Sequence, residues 1–527
     1  MHAQDLLVVG VAVVLLVALV QHVSRNWRLW RSVGCLPGPP ALPIVGTAWL
    51  FVITKREGLL ALLRKIMKSH GAVFRMWYGN LPEVHIIKAE NIEKVLSSCD
   101  LITKSVHYTF LRPWLGEGLL TSTGNKWQRR RKMLTPAFHF KILENFVGVF
   151  AEKSKVLIEK LRKNAEGPEF DIYPSIALCS LDIICETAMG TCVNAQEDAG
   201  SEYVSATCSV TELTMKRMLE PWLYPDFVFR MTPSGRQYYK CLDTVHQFSK
   251  QVITERRKQR QRSAFNVRAL SQDDTGVKNR VAFLDLLLDM SMNGENLDDA
   301  DIQEEVDTFM FEGHDTTAAA MSWAVFLLGH HPDVQRKAFE ELNEIFQGSD
   351  RLPTFQDLQN MKYLEMVIKE TLRLYPSVPF IGRINSKESE NGGYKLPEGV
   401  MLVLHVHETH RDPKYWPDPE RFDPDNFLPE RVQGRHPFAY VPFSGGPRSC
   451  IGQKFALLEE KTVLSSLLRN YVIESVERRE NMKVTAELIL RPMNGIKVKL
   501  RTRCSKWASA FWSLPAANRY KARNLEP

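Results

Sequence analysis

What this 527-residue chain lacks narrows its class before any motif is read. No Asn-x-Ser/Thr triplet occurs anywhere, which agrees with a body facing the cytosol. Cysteine is sparse: nine residues, at 35, 99, 179, 185, 192, 208, 241, 450 and 504, with no CxxC or zinc-like spacing. An odd number so placed argues against a disulfide framework and for free thiols in a reducing compartment. Excess charge is also small, since 68 basic and 61 acidic residues leave only +7, spread along the chain. No basic stripe interleaved with aromatics appears before residue 501, so a nucleic-acid footprint is excluded. Length alone suggests about three domains of ~150 residues. From 47 to 500, however, there is neither a repeat nor a low-complexity linker to divide the chain, and one large domain is expected.

Long apolar runs are missing too, with one exception. "LLVVGVAVVLLVALV", residues 6 to 20, continues to Val23 and reaches the ~17 to 20 residues that span a bilayer. Asp5 precedes it and Arg25, Arg28 and Arg31 follow, so the positive-inside rule directs the remainder to the cytosol. A cleaved signal peptide wants the opposite charge order. Residues 1–24 are therefore expected to be a membrane anchor. Residues 25–46, ending in "LPGPPALPIVG", read as a basic and Pro-rich tether, 47–500 as the main body and 501–527 as a basic, aromatic tail of no assigned role.

Apolar residues recur at spacings of three and four in 141–163, 238–260 and 455–470, which predicts helices. Short β-like runs at 73–79, 83–88 and 400–406 are too few for an all-β fold, so the class is mainly α with a small β part. The charged run 256–280 reads as a solvated connection. A helix of about thirty residues is predicted from near Asp299 to Gly329. It contains "TFMFEGHDTTAAAMSW", where Glu312 and Asp315 sit in an apolar segment, and an unpartnered buried carboxylate costs several kcal/mol. Gly313 in mid-helix points to a close neighbour.

The stretch "FSGGPRSCIGQKFALLEE", 443 to 460, holds Cys450 in an irregular loop just before a helix opening at Gly452. Unpaired N–H groups and the positive dipole end there stabilise a thiolate, and Arg448 adds charge. With this pattern the sequence resembles the cytochromes P450, the haem-thiolate monooxygenases, over about residues 36 to 500, and Cys450 matches their axial iron ligand. Further matches follow in order. "ETLR" supplies Glu370 and Arg373 and "PERF" supplies Arg421, which the resemblance makes a buried Glu-Arg-Arg network. Trp127 and Arg131 of "WQRRR", with Arg383 and Arg448, match residues that hold the haem propionates. Asp315 and Thr316 of "GHDTT" match the acid-alcohol pair that manages protons and oxygen in the catalytic step.

"FEGHDTT" is similar to family four, in which a glutamate at the place of Glu312 can become esterified to a haem methyl; a Glu312 that stays free and pairs with a basic group or water remains the alternative. The usual reaction of that family is hydroxylation of a fatty acid at its terminal carbon, which needs a narrow channel. "LGEGLLTSTGNKWQRRRKMLTPAFHFKILENF" and "EEVDTFMFEGHDTTAAA" look most like subfamily V, which acts on medium-chain and polyunsaturated fatty acids. In that resemblance Trp114, Leu115, Phe309, Val378, Phe380 and Met493 fall in channel-lining segments. The implied cofactor is haem b, with O2 as co-substrate and electrons from NADPH through NADPH-cytochrome P450 reductase. Arg129, Arg130, Lys132 and Lys454 would steer an acidic reductase. The implied location is the endoplasmic reticulum membrane. Hydroxylation of another lipid (a sterol or eicosanoid), a reductase-independent isomerase and a haem sensor are the competing readings. "HVHETH", 405 to 410, is not HExxH, and no carboxylate or cysteine in the sequence completes a zinc site with it.

Overall fold

The computed structural model describes residues 13, 17, 29–42, 45–54, 58–79, 81–197, 201–269, 282–293 and 297–503. Apart from residues 13 and 17, the expected anchor lies outside the described residues, as does the tail beyond Arg503. Among the described residues no helix is long and apolar enough to cross a membrane.

Helices dominate, and those that position the site are α1 (Leu59–His70), α2 (Gly124–Leu134), α3 (Phe140–Leu161), α4 (Tyr173–Thr187), α5 (Ser201–Leu219), α6 (Pro233–Ala269), α7 (Asp299–His330), α8 (Lys362–Leu374) and α9 (Gln453–Asn470). Helix α7 is buried on nearly all sides from Val306 to Leu328, which places it in the centre of the core. Asp298 starts it as N-cap, its side chain accepting the Asp301 N–H at 2.8 Å. Gly313 is required there because a Cβ would come within 2.5 Å of Ile184 on α4.

A four-stranded sheet covers one end of this bundle: β1 (Val73–Tyr78), β2 (Leu81–Ile86), β3 (Phe380–Ile384) and β4 (Met401–His405), in the order β1-β2-β4-β3. β2 runs parallel to β4, with His85 opposite Val403, and β3 runs antiparallel to it, with Phe380 opposite His405 and Gly382 opposite Val403. Alternate residues therefore share a face: Glu83 and His85, Val403 and His405, Phe380 and Gly382 all point the same way.

Two expectations change. The run 256–280 is not a loop at its start, since α6 continues through Ala269. Its arginines reach acids on later helices: Arg256 bonds Asp285 at 2.8 and 2.6 Å, Arg257 pairs with Asp299 and Arg260 with Asp289. The Pro-rich segment is docked rather than free, because Val33 and Leu36 are buried and the Arg75 N–H of β1 donates to the Pro37 carbonyl at 2.8 Å.

Helix α9 buries two adjacent carboxyls. Burial pushes Glu459 up to about 8, where Thr317 Oγ1 donates to it at 3.1 Å, and pushes Glu460 further above its ordinary range, with Glu459 adding to the effect. A carboxyl raised in the fold gives its full stability below its unfolded value of about 4.5 and loses it as pH rises through the folded value, by about 1.4 kcal/mol per pH unit. Glu460→Gln, neutral at every pH, is expected to melt above the parent at pH 7.5 and to lose that advantage towards pH 4.5. Circular-dichroism melts across this range check it, and a pH-independent difference would contradict the buried-carboxyl account.

Candidate active site

Cys450 is the last residue of a turn that only glycine permits: Gly446 has φ +63°, and a Cβ there would meet the Leu96 carbonyl at 1.9 Å. The Cys450 N–H donates to the Phe443 carbonyl at 2.9 Å, closing the loop. Helix α9 then begins at Gln453, so its first N–H groups, those of Gly452 and Gln453, are directed at the sulfur. Burial nevertheless pushes the thiol up to about 12, with Glu312 adding to it and the two N–H groups and Arg131 opposing it.

Positive charge gathers beside it. Arg131 donates to the Ser449 carbonyl at 2.8 Å, and Arg448 lies over the Trp127 ring at 4.3 Å while donating to the carbonyls of Ile102 and Leu119, both at 3.1 Å, and of Ser122. Burial and the facing Arg383 push Arg448 down to about 9, and burial, Arg383 and Arg448 push Lys104 well below its usual range. Against these four cations stands Glu312, raised by burial to about 7 and held from rising further by Lys104, Arg131 and Arg448. A cluster so short of negative charge fits the two propionates of a haem, with Cys450 placed to take its iron.

Over the same region α7 presents Glu312 and Thr316 to an apolar cavity that opens to solvent, about 1140 Å³ with its open mouth included. Leu120, Phe311, Val378 and Phe380 line it too, with Phe51 and Leu59 among the other lining residues. Thr316 Oγ1 donates to the Glu312 carbonyl at 2.7 Å, while its own carbonyl accepts from Ser377 at 2.9 Å.

The cytochrome P450 family model matches residues 36–500. The chain is 47% identical to cytochrome P450 4c21 of Blattella germanica over 94% of its length and 98% of that protein's. It is also 47% identical to cytochrome P450 4V2 of Homo sapiens, over 93% of the chain and 94% of the relative, and 45% identical to cytochrome P450 4c3 of Drosophila melanogaster, over 93% of each. The chain is a cytochrome P450. It belongs to family four, subfamily V being among its relatives as the resemblance implied, and it stands as near to the 4c21 protein as to human 4V2.

As a P450 monooxygenase it takes haem and O2 and draws electrons from a redox partner. Bound haem would supply the oxygen activation and C–H oxidation; Cys450 would offer the sulfur ligand, and Lys104, Arg131, Arg383 and Arg448 the cationic cradle. Thr316 holds a hydroxyl beside that cavity, where it can pass a proton or hold a water. Asp315 is not among the cavity-lining residues. It is buried in an ion pair with Arg491, with the Tyr173 hydroxyl at 3.3 Å, so any proton it carries must first break that pair.

Placement separates the other candidates. Glu370 and Arg373 on α8 are fully buried and joined by two bonds of 2.7 Å, but Arg421 keeps its side chain exposed and gives the network only its main-chain carbonyl, at 2.7 Å from Arg373. Asp423 and Asn426 supply the remaining donors to Glu370. Arg130 is buried too, paired with Asp301 and near Glu305, because it lies one turn beyond inward-facing Trp127; only Arg129, Lys132 and Lys454 remain exposed for a partner.

Of the six channel candidates, Val378 and Phe380 line the cavity. Phe309 is covered by Phe138 and Phe283, at ring separations of 5.5 and 4.1 Å. Trp114 backs Phe311 at 4.4 Å, Leu115 is buried beside it, and Met493 is 42% exposed while Glu487, Leu488 and Ile489 reach inward instead. Lys104 and Arg491 carry no local sequence signal; both were missed because their partners are distant in the chain. The "HVHETH" histidines are spread over separate contacts: His405 Nε2 lies 2.8 Å from His85 Nδ1, His407 Nδ1 meets Glu408 at 2.8 Å and His410 Nε2 accepts the Val441 N–H at 2.8 Å, while among the described residues the Nδ1 atoms of His405 and His410 have no partner.

Proposed function

We propose that this P450 hydroxylates medium-chain and polyunsaturated fatty acids at the ω carbon, with electrons from NADPH-cytochrome P450 reductase, on the cytosolic side of the endoplasmic reticulum membrane. The observation that carries this reading is an apolar cavity lined by Glu312 and Thr316 together with Phe311, Val378 and Phe380, which suits the hydrocarbon chain of a lipid. Asp315 and Thr316 act as the proton-managing pair, and a reductase-independent isomerase or a haem sensor has no use for one. Val52 and Ile53, 59% and 70% exposed, follow Phe51 of the cavity lining and suit contact with a lipid surface from which the substrate enters.

The test is the product profile, by mass spectrometry, of the full-length enzyme with reductase, NADPH and a panel of saturated and polyunsaturated fatty acids. Predominantly terminal alcohols are expected. In-chain alcohols alone, or no oxygenated product, would contradict the reading. Glu312 is proposed to be esterified to a haem methyl, which would remove its buried charge and fix the haem to α7. Denaturing mass spectrometry is then expected to show a haem-sized mass increment on the protein, absent from Glu312→Gln. A haem that leaves the parent completely under acid would favour the free Glu312, paired with Lys104.

A further inference from the structure

One wall of the cavity has the wrong chemistry for a simple acyl chain. Strand alternation puts Glu83, His85 and His405 on the face of the sheet that forms this wall, where the neighbouring Val403 and Phe380 are apolar. The three polar groups are joined in a line. His405 Nε2 lies 2.8 Å from His85 Nδ1, His85 Nε2 lies 3.4 Å from one Glu83 oxygen, and His107 Nε2 lies 3.3 Å from the other. Only the contact between His405 and His85 is a hydrogen bond, and among the described residues His85 Nε2 and Glu83 Oε1 have no hydrogen-bond partner. With His405 Nε2–H donating to His85 Nδ1, His405 Nδ1 is left as a bare acceptor.

Among the described residues His405 Nδ1 has no partner, and Ser105 Oγ, which fills the space left by Gly382 on the same wall, has none either. Leaving both unsatisfied inside an apolar cavity is costly. The wall thus offers an acceptor and a group that can donate or accept, matching an alcohol.

A carboxylate does not suit it. Among the described residues lining the cavity none is Lys or Arg, while Glu83, Glu312 and Glu487 are all acidic. Lys216 lies only in the smaller hollow that adjoins the cavity past Met215 and Leu219, and there its Nζ donates to Ser234 at 2.9 Å.

We infer that the Glu83–His85–His405 line with Ser105 is a hydrogen-bonding subsite for an uncharged hydroxyl group, so that the lipids held most tightly carry an alcohol away from the carbon to be oxidised. The inference rests on the reading of this cavity as the substrate chamber. It does not depend on which carbon is hydroxylated. The hydroxyl can come from a primary fatty alcohol or from an in-chain hydroxyl of a fatty acid.

Equilibrium binding to the full-length haem-loaded enzyme tests it, by calorimetry, with hexadecan-1-ol and 12-hydroxystearic acid, each against its methyl ether, which cannot donate. Either alcohol is expected to bind about tenfold tighter than its ether, and which one does so identifies the source. His405→Phe and Ser105→Ala are expected to reduce that preference to within about twofold while leaving the affinity for the ether unchanged. Equal binding of alcohol and ether by the parent enzyme overturns the inference, as does a preference that survives both substitutions. If His405→Phe does not fold, Ser105→Ala and the parent comparison decide. The product profile is a separate readout, so ω-hydroxylation can fail while the subsite stands, and the reverse.

Discussion

Arg373→Ala is expected to leave little folded protein at 37 °C. The guanidinium is fully buried and every branch of it is used: two bonds of 2.7 Å to Glu370, and bonds to the carbonyls of His410, Pro419 and Arg421 at 3.1, 2.7 and 2.7 Å. It also lies 4.9 Å from the centre of the Trp416 ring. Truncation leaves Glu370 charged and buried, with only the Asp423 N–H and the Asn426 amide to compensate, and strips three carbonyls of their donor. Breaking a buried pair on one side costs about 3 to 5 kcal/mol, and each orphaned carbonyl about 1 kcal/mol or more, against a net stability of about 5 to 15 kcal/mol. Arg373→Lys keeps the charge but cannot reach five acceptors from one nitrogen, so an intermediate loss is expected. Soluble yield, haem incorporation and melting temperature measure the series. An Arg373→Ala protein melting within a few degrees of the parent would show that the network does not hold α8 to the segment around Asp423.

Glu370 and Arg373 were legible through the family resemblance of "ETLR", and the structure shows their pairing to be local, one helical turn apart, while Cys450 was legible because its loop and the helix start are both written within a few residues. What depended on distant segments was not. The three arginines of "WQRRR" are chemically alike, and only the helix angle turns Arg130 inward beneath Trp127 while Arg129 stays in solvent. The charged stretch after residue 256 looks like a loop until Asp285, Asp289 and Asp299 arrive from later helices to neutralise it. The same limit applies to the cavity. "EVHII" shows polar residues alternating with apolar ones, yet nothing nearby says that the polar face of β2 covers a chamber rather than solvent. Met493 and Ile489 lie on the same turn-rich segment, and which of them reaches inward is decided by packing against α5 and α7.

Cys450→Ser is expected to abolish monooxygenase activity, by roughly a thousandfold or more, corresponding to about 4 kcal/mol in the barrier, while leaving the fold intact. The two effects separate because the loop does not depend on sulfur. Gly446, the Cys450 N–H to the Phe443 carbonyl and the start of α9 are main-chain features that serine can reproduce. Function depends on the sulfur through its charge. The pocket raises the thiol to about 12, while the N–H groups of Gly452 and Gln453 and the Arg131 cation favour its ionised form. A thiol so placed ionises when it binds a metal cation, whereas a serine hydroxyl, far less acidic and harder as a ligand, does not supply the electron-rich sulfur that favours O–O cleavage. The measurements are turnover with reductase and NADPH, and the melting temperature of the haem-free chain. Loss of turnover with a melting temperature within two or three degrees of the parent is the expected pair. A parallel collapse of both would mean that the cysteine side chain serves packing, and retained turnover would remove Cys450 from the ligand position altogether.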